Sequence, residues 1–77
     1  MIAAHKIGEI HFNQDFIMLD IDGNKLTIPL DELSSKLKSA TDIERTMYKI
    51  SPSGYGIHWP LIDEDLSIDG ILRDFSK

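Results

Sequence analysis

The sequence of 77 residues contains no cysteine. This absence excludes disulfide bridges and thiolate metal sites, and it suits a reducing cytoplasm, where we expect the protein to act. The sequence also lacks any apolar run near the ~20 residues that span a bilayer. Its first six residues are too few and too polar for a signal peptide. We therefore predict a cytoplasmic protein that does not interact with a membrane.

Basic residues are scarce as well: 8 Lys and Arg stand against 13 Asp and Glu, for a formal charge of −5. Electrostatic binding of nucleic acid needs a basic surface, so we expect no direct nucleic-acid contact and rank a DNA-binding repressor last. An acidic surface favours solubility first and a basic protein partner second.

The apolar content of 42% suits a globular fold, and we predict one domain over residues 1–77.

Alternating apolar positions predict five strands, over residues 6–12, 16–21, 25–29, 47–50 and 55–59. The first strand should bend near Gly8, and a hairpin turn should follow at residues 22–25. A helix is expected over residues 32–39, capped by Asp31, and Thr41 should begin a second helical turn that ends near Thr46. Residues 51–54 predict a type I turn, and Ser67 should cap a final helix.

This order predicts an α+β fold: a small, mostly antiparallel sheet of about five strands (β-β-β-α-β-β-α) with helices packed on one face. The helices and the sheet should share one apolar core. Its expected members are Leu33, Leu37, Ile68, Ile71, Leu72 and Phe75 from the helices, and Ile17, Leu19, Ile21, Leu26, Ile28, Ile57 and Trp59 from the strands.

Two motifs near the end of the chain are the most distinctive: Gly-Tyr-Gly-Ile-His-Trp-Pro at residues 54–60 and Asp-Leu-Ser-Ile-Asp-Gly-Ile-Leu at residues 65–72. Together they resemble the close of a bacterial family, domain of unknown function 2442. Residues 16–23 and the helix start at residues 31–33 are similar to the front half of that family. The resemblance implies a small α+β domain that is often encoded beside another small protein in a toxin–antitoxin-like arrangement. It implies no catalytic residues.

The histidines and acids suggest several metal sites, none of which the spacing supports. An EF-hand loop begun at Asp20 would need glycine at its sixth and glutamate at its twelfth position, and neither is there. His5, His11 and His58 are expected to be surface or packed histidines rather than ligands. We therefore predict no metal and no cofactor.

The candidate partner-binding residues are centred on Tyr55, just after a turn, and His58, on the strand face opposite Trp59. The acidic segment that follows Pro60 belongs with them. A solvated acidic face is the ordinary interpretation of that segment, and a contact for a basic partner is the sharper one. Phe16 and Met18, on the strand over residues 16–21, are expected to lie on the same sheet face as His58. The candidate residues are Tyr55, His58, Asp63, Glu64, Asp65, Phe16 and Met18.

Two functional hypotheses follow. The first is a non-enzymatic protein-interaction module, a bacterial regulatory or antitoxin-like partner of another small protein, which binds through a sheet face or edge or pairs with a second copy of itself. The second is a small-ligand-binding or minor enzymatic domain that uses Tyr55, His58 and the acids over residues 63–65.

Overall fold

A computed structural model describes residues 5–75 of the chain. The first four residues of the stretch considered for a signal peptide therefore lie outside the described residues. The element order is β1 (Ile7–Phe12), β2 (Phe16–Ile21), β3 (Asn24–Pro29), α1 (Leu30–Leu33), α2 (Ser35–Lys38), α3 (Asp42–Thr46), β4 (Lys49–Ile50), β5 (Gly56–Trp59), β6 (Glu64–Ser67) and α4 (Ile68–Phe75).

The first three strands form an antiparallel sheet in the order β1-β2-β3. The register between β1 and β2 shifts between Ile7 and Ile10, which confirms the predicted irregularity near Gly8. The predicted turn between β2 and β3 is also confirmed. Asp22 and Gly23 have φ of 53° and 85°, and positive φ at both central residues is typical of the tight turns that join two antiparallel strands.

The expectation of one sheet of about five strands was wrong. Strands β4, β5 and β6 form a second antiparallel sheet, in the order β4-β5-β6. The sixth strand was missed because residues 64–67 begin with two acids, which are rare in strands. Asp63, at φ 52°, reverses the chain so that β6 runs back along β5. Because β5 pairs with β4 on one side and with β6 on the other, it has no free edge that could join the first sheet.

The helix predicted over residues 32–39 is broken into α1 and α2 at Ser34, which has an extended backbone (φ −160°, ψ 114°). The Ser34 hydroxyl accepts a hydrogen bond from the Leu37 amide and donates one to the Glu64 carboxylate. Side-chain bonds of this kind compete with a continuous helix, and periodicity does not reveal them. Asp31, the expected cap, instead lies in the first turn of α1, which begins after Pro29.

The other predicted helix starts are confirmed. Thr41 and Glu44 form the expected capping box at α3. The Ser67 hydroxyl accepts a hydrogen bond from the Gly70 amide at the start of α4. Within the described part of the chain, no helix has the length and apolar character needed to cross a bilayer.

Buried residues from both sheets and from three helices form a single hydrophobic cluster. Trp59 is completely buried, and its indole Nε1 donates to the Arg45 carbonyl oxygen at 3.0 Å, so the prediction that it belongs to the core is confirmed. Nine of the expected core residues are buried, and Leu30 joins them. Leu26, Leu33, Leu72 and Phe75 pack against the cluster while remaining partly exposed.

Candidate functional site

An open groove of about 600 Å³ lies on the second sheet. Its polar residues belong to the outer face of that sheet. Ile57 and Trp59 of β5 point into the core, whereas His58 lies on the opposite face. The groove takes residues from both faces of the sheet. Lys49, His58 and Asp65 share the outer face, whereas Ile50 and Leu66 are the cross-strand partners of Ile57. Pro52 and Tyr55 line it from the β4–β5 turn.

One part of the groove is polar and is built from a row across all three strands. Lys49 is opposite His58, and His58 is opposite Asp65. The His58 Nδ1 atom lies 2.7 Å from an Asp65 carboxylate oxygen. No hydrogen bond from residues 5–75 reaches the other ring nitrogen, Nε2, and the His58 side chain is 40% exposed. This nitrogen is therefore available to a bound molecule.

Another part is apolar, because Ile50 and Tyr55 expose 39% and 47% of their surfaces. Tyr55 breaks the alternation that buries Ile57 and Trp59, since it lies in the turn before β5 rather than on the strand. The Tyr55 and Gly56 amides both donate to the Ser51 hydroxyl at 3.1 Å. Gly56, which has no side chain, also lines the groove.

The three consecutive acids do not form one cluster. The Asp63 carbonyl oxygen accepts a hydrogen bond from Lys36 Nζ at 2.9 Å, in the reversing turn. Glu64 is half-buried, opposite Trp59 in the register, and its carboxylate accepts from the Ser34 hydroxyl. Only Asp65 lines the groove. The predicted acidic contact surface is thus reduced to one carboxylate at this site.

Phe16 and Met18 lie on the first sheet, opposite Pro29 and Thr27 of β3, and are 38% and 40% exposed. Met18 lines a separate depression of about 230 Å³, which shares no lining residue with the groove. His11 in this depression hydrogen-bonds the Glu9 carboxylate at 2.6 Å and lowers the pKa of Glu9. The predicted candidate residues therefore divide between two surfaces, one on each sheet.

Sequence reasoning missed several residues that shape the groove. Lys49 was counted only as part of a strand, and Ile50 and Pro52 as strand and turn positions. The alternation of residues 47–50 gave no warning that Ile50 is exposed at the sheet edge. No group of three or more histidine, aspartate or glutamate side chains within residues 5–75 is arranged to hold a metal ion.

Comparison with known families gives one clear result. A family model described as "Protein of unknown function (DUF2442)" matches residues 7–76. The chain belongs to this family. The match covers the strands that carry the groove, and it agrees with the resemblance seen in residues 54–60 and 65–72. No curated protein matches the chain significantly.

Among solved structures, the chain is similar to a protein of unknown function from Rhodospirillum rubrum ATCC 11170. The TM-score is 0.71 at 24% sequence identity, over 95% of this chain and 90% of the other. A likeness at this identity establishes a shared fold. It therefore supports the arrangement of the two sheets and carries no information about function.

Proposed function

We propose that this chain is a non-enzymatic protein-interaction module, a bacterial regulatory partner of antitoxin type that acts in the cytoplasm. The observation that supports the proposal is the groove on the second sheet, where Ile50 and Tyr55 are exposed beside the His58–Asp65 pair. Partner-binding surfaces commonly combine an exposed aromatic anchor with a polar rim.

The shape and charge of the site suit a segment of another small protein. The groove is open, so an extended or helical segment can lie along it without entering a closed cavity. An apolar side chain of the segment would pack between Ile50 and Tyr55, and a basic one would meet the Asp65 carboxylate. The formal charge of −5 favours a basic partner and disfavours direct nucleic-acid binding.

Affinity capture from extracts of the native cell, followed by mass determination of the complex, tests this function. The groove variant is Ile50→Ser with Tyr55→Ala. The matched control is Phe16→Ser with Met18→Ser, which also removes two exposed apolar side chains but on the first sheet. We expect a stoichiometric partner with the wild type and the control, and none with the groove variant.

Other outcomes are equally informative. Loss of the partner only in the control would move the binding surface to the first sheet. A complex of twice the chain mass would identify a second copy as the occupant. The absence of any stoichiometric complex in mild salt would contradict the interaction function.

A second candidate function is binding of a small ligand by Tyr55, His58 and Asp65. It is favoured by the free Nε2 of His58 and by a groove volume within the ~300–1,000 Å³ of small-molecule sites. A thermal-shift screen with metal ions, nucleotides and common metabolites tests it, because a specific ligand raises the melting temperature by mass action. His58→Ala should abolish such a shift. A screen without any shift would dismiss this candidate.

A further inference from the structure

A second histidine, His5, lies between two carboxylates that come from distant parts of the chain. Its Nδ1 atom is 2.8 Å from an Asp22 oxygen in the β2–β3 turn, and its Nε2 atom is 2.7 Å from an Asp69 oxygen in α4. The His5 side chain is only 10% exposed. Both ring nitrogens are therefore engaged, and each faces an acceptor.

The number of protons on the ring decides whether both contacts can form. Ionised carboxylates only accept hydrogen bonds, and a neutral imidazole has one N–H donor, whereas the protonated ring has two. When both carboxylates act as acceptors, both contacts are thus satisfied only by the protonated His5 ring. The electrostatics agree, because the hydrogen bonds to Asp22 and then Asp69 raise the pKa of His5 above 6.5. The same contact with His5 lowers the pKa of Asp22.

The backbone of His5 is joined to the turn between β4 and β5. The His5 amide donates to the Ser53 carbonyl oxygen at 3.1 Å. The next residue, Gly54, has φ 68°, and a Cβ there would lie 1.9 Å from the His5 carbonyl oxygen. His5 therefore lies directly against this turn, which the Gly54 amide closes by donating to the Ser51 carbonyl oxygen.

The turn is also connected to α4, which carries Asp69. The Ile68 amide, one residue before Asp69, donates to the Tyr55 carbonyl oxygen at 2.9 Å. The Asp22 side chain is itself held by the Lys6 amide, which donates at 2.8 Å to the carboxylate oxygen that does not contact His5. The β2–β3 turn, the β4–β5 turn and α4 thus all meet at His5.

We propose that His5, Asp22 and Asp69 form a proton-dependent latch that holds the β4–β5 turn in place. Asp22 faces His5 from the β2–β3 turn and Asp69 faces it from α4, while the β4–β5 turn contributes the uncharged Ser53 carbonyl. The latch is closed when His5 carries its second proton. It loosens when that proton leaves, because one carboxylate then loses its donor. The proposal is independent of what the groove binds.

An NMR titration of the three histidine rings and of the backbone amides tests the latch in the unmodified protein. The His5 midpoint should lie above the ordinary value of 6.5. The Gly54 amide belongs to the peptide whose carbonyl accepts from His5, so its signal should shift with the same midpoint. A His5 midpoint at or below 6.5 would overturn the proposal. A Gly54 amide signal that does not shift with the His5 midpoint would overturn it as well.

Two matched variants locate the effect. Asp69→Asn removes one carboxylate from His5, and Asp65→Asn removes the carboxylate from His58 in the same way. We expect Asp69→Asn to lower the His5 midpoint and Asp65→Asn to leave it unchanged. An equal response of His5 to both variants would show a general charge effect and refute the latch.

Discussion

The two sheets of this molecule are held together in different ways. All three strands of the first sheet have six residues, and a single tight turn joins β2 to β3 in full register. The strands of the second sheet have two, four and four residues. Strands this short form few ladder hydrogen bonds, so the second sheet needs support from elsewhere.

That support comes from the backbone of two residues, Arg45 and His5, whose side chains are in turn held by partners that are distant in sequence. Arg45 is 5% exposed and donates to the carbonyl oxygens of Asn13, Gln14, Leu37 and Lys38. Its own carbonyl accepts from Trp59 of β5. The His5 amide donates to the Ser53 carbonyl oxygen in the β4–β5 turn, and the His5 side chain is held by Asp22 and Asp69. The groove-bearing sheet therefore depends on specific contacts with residues outside it, whereas the first sheet depends on its alternating pattern.

Replacement of Arg45 should have the largest effect. Arg45→Met keeps an apolar chain near Phe12 but leaves several carbonyl oxygens without their donor, and we expect a loss of about 3 kcal/mol in unfolding free energy. Arg73→Met is the matched control, since Arg73 is 76% exposed and its partner is the adjacent Asp74. It should change stability by less than ~0.5 kcal/mol. Similar losses in urea unfolding of the two variants would contradict a structural role for Arg45.

Replacing either of two glycines by alanine compares the turn of the first sheet with the turn of the second. Gly23 and Gly54 both have positive φ, but a Cβ at Gly23 meets nothing within 4 Å, whereas one at Gly54 meets the His5 backbone. Gly23→Ala should cost about 1 kcal/mol for the backbone conformation alone. Gly54→Ala should cost more than about 2 kcal/mol, because the His5 segment must also move. Equal costs in thermal unfolding would show that the His5 contact is unimportant.

The smallest expected effect is a pH dependence of stability that distinguishes His5 from Arg45. A raised His5 pKa gives stability that is fully present below 6.5 and is lost as the pH rises through the folded value. A lowered Asp22 pKa gives stability that is lost as the pH falls through its own folded value. The latch should therefore stabilise most in the window between them.

His5→Gln tests this dependence in urea unfolding at a series of pH values. The difference from the wild type should be larger at mildly acidic pH than at alkaline pH, because the wild type loses the latch as His5 deprotonates. His11→Gln is the control, since that side chain is 60% exposed. A difference that stays constant with pH would argue against the proton-dependent contact.

Much of the fold could be predicted because its causes are local. The alternation of residues 16–21, the Asp22–Gly23 turn, the capping box at Thr41 and the cap at Ser67 each involve neighbours in sequence. The second sheet could not be predicted in this way, because the reversal at Asp63 and the break at Ser34 depend on partners that are distant in sequence. The burial of Arg45 and the meeting of His5, Asp22 and Asp69 likewise leave no periodic signal.

The candidate site was also predicted only in part. Tyr55, His58 and Asp65 do line one groove. Tyr55 lies in the turn before β5, and Asp65 of β6 is opposite His58 of β5. Asp63 and Glu64 do not line the groove, because Asp63 lies in the reversing turn and Glu64 alternates with Asp65 onto the Trp59 side of β6. Phe16 and Met18 were grouped with His58 on the assumption of one sheet, and the division into two sheets separates them.

Native-state hydrogen exchange of the wild type and His5→Gln, at one mildly acidic pH, tests the difference between the sheets most directly. The account predicts that the Ser51 and Gly54 amides, which close the β4–β5 turn, lose protection in His5→Gln. The amides that pair β2 with β3 should keep theirs. Equal loss in both sheets, or no loss at Ser51 and Gly54, would contradict the claim that the second sheet depends on this side-chain contact.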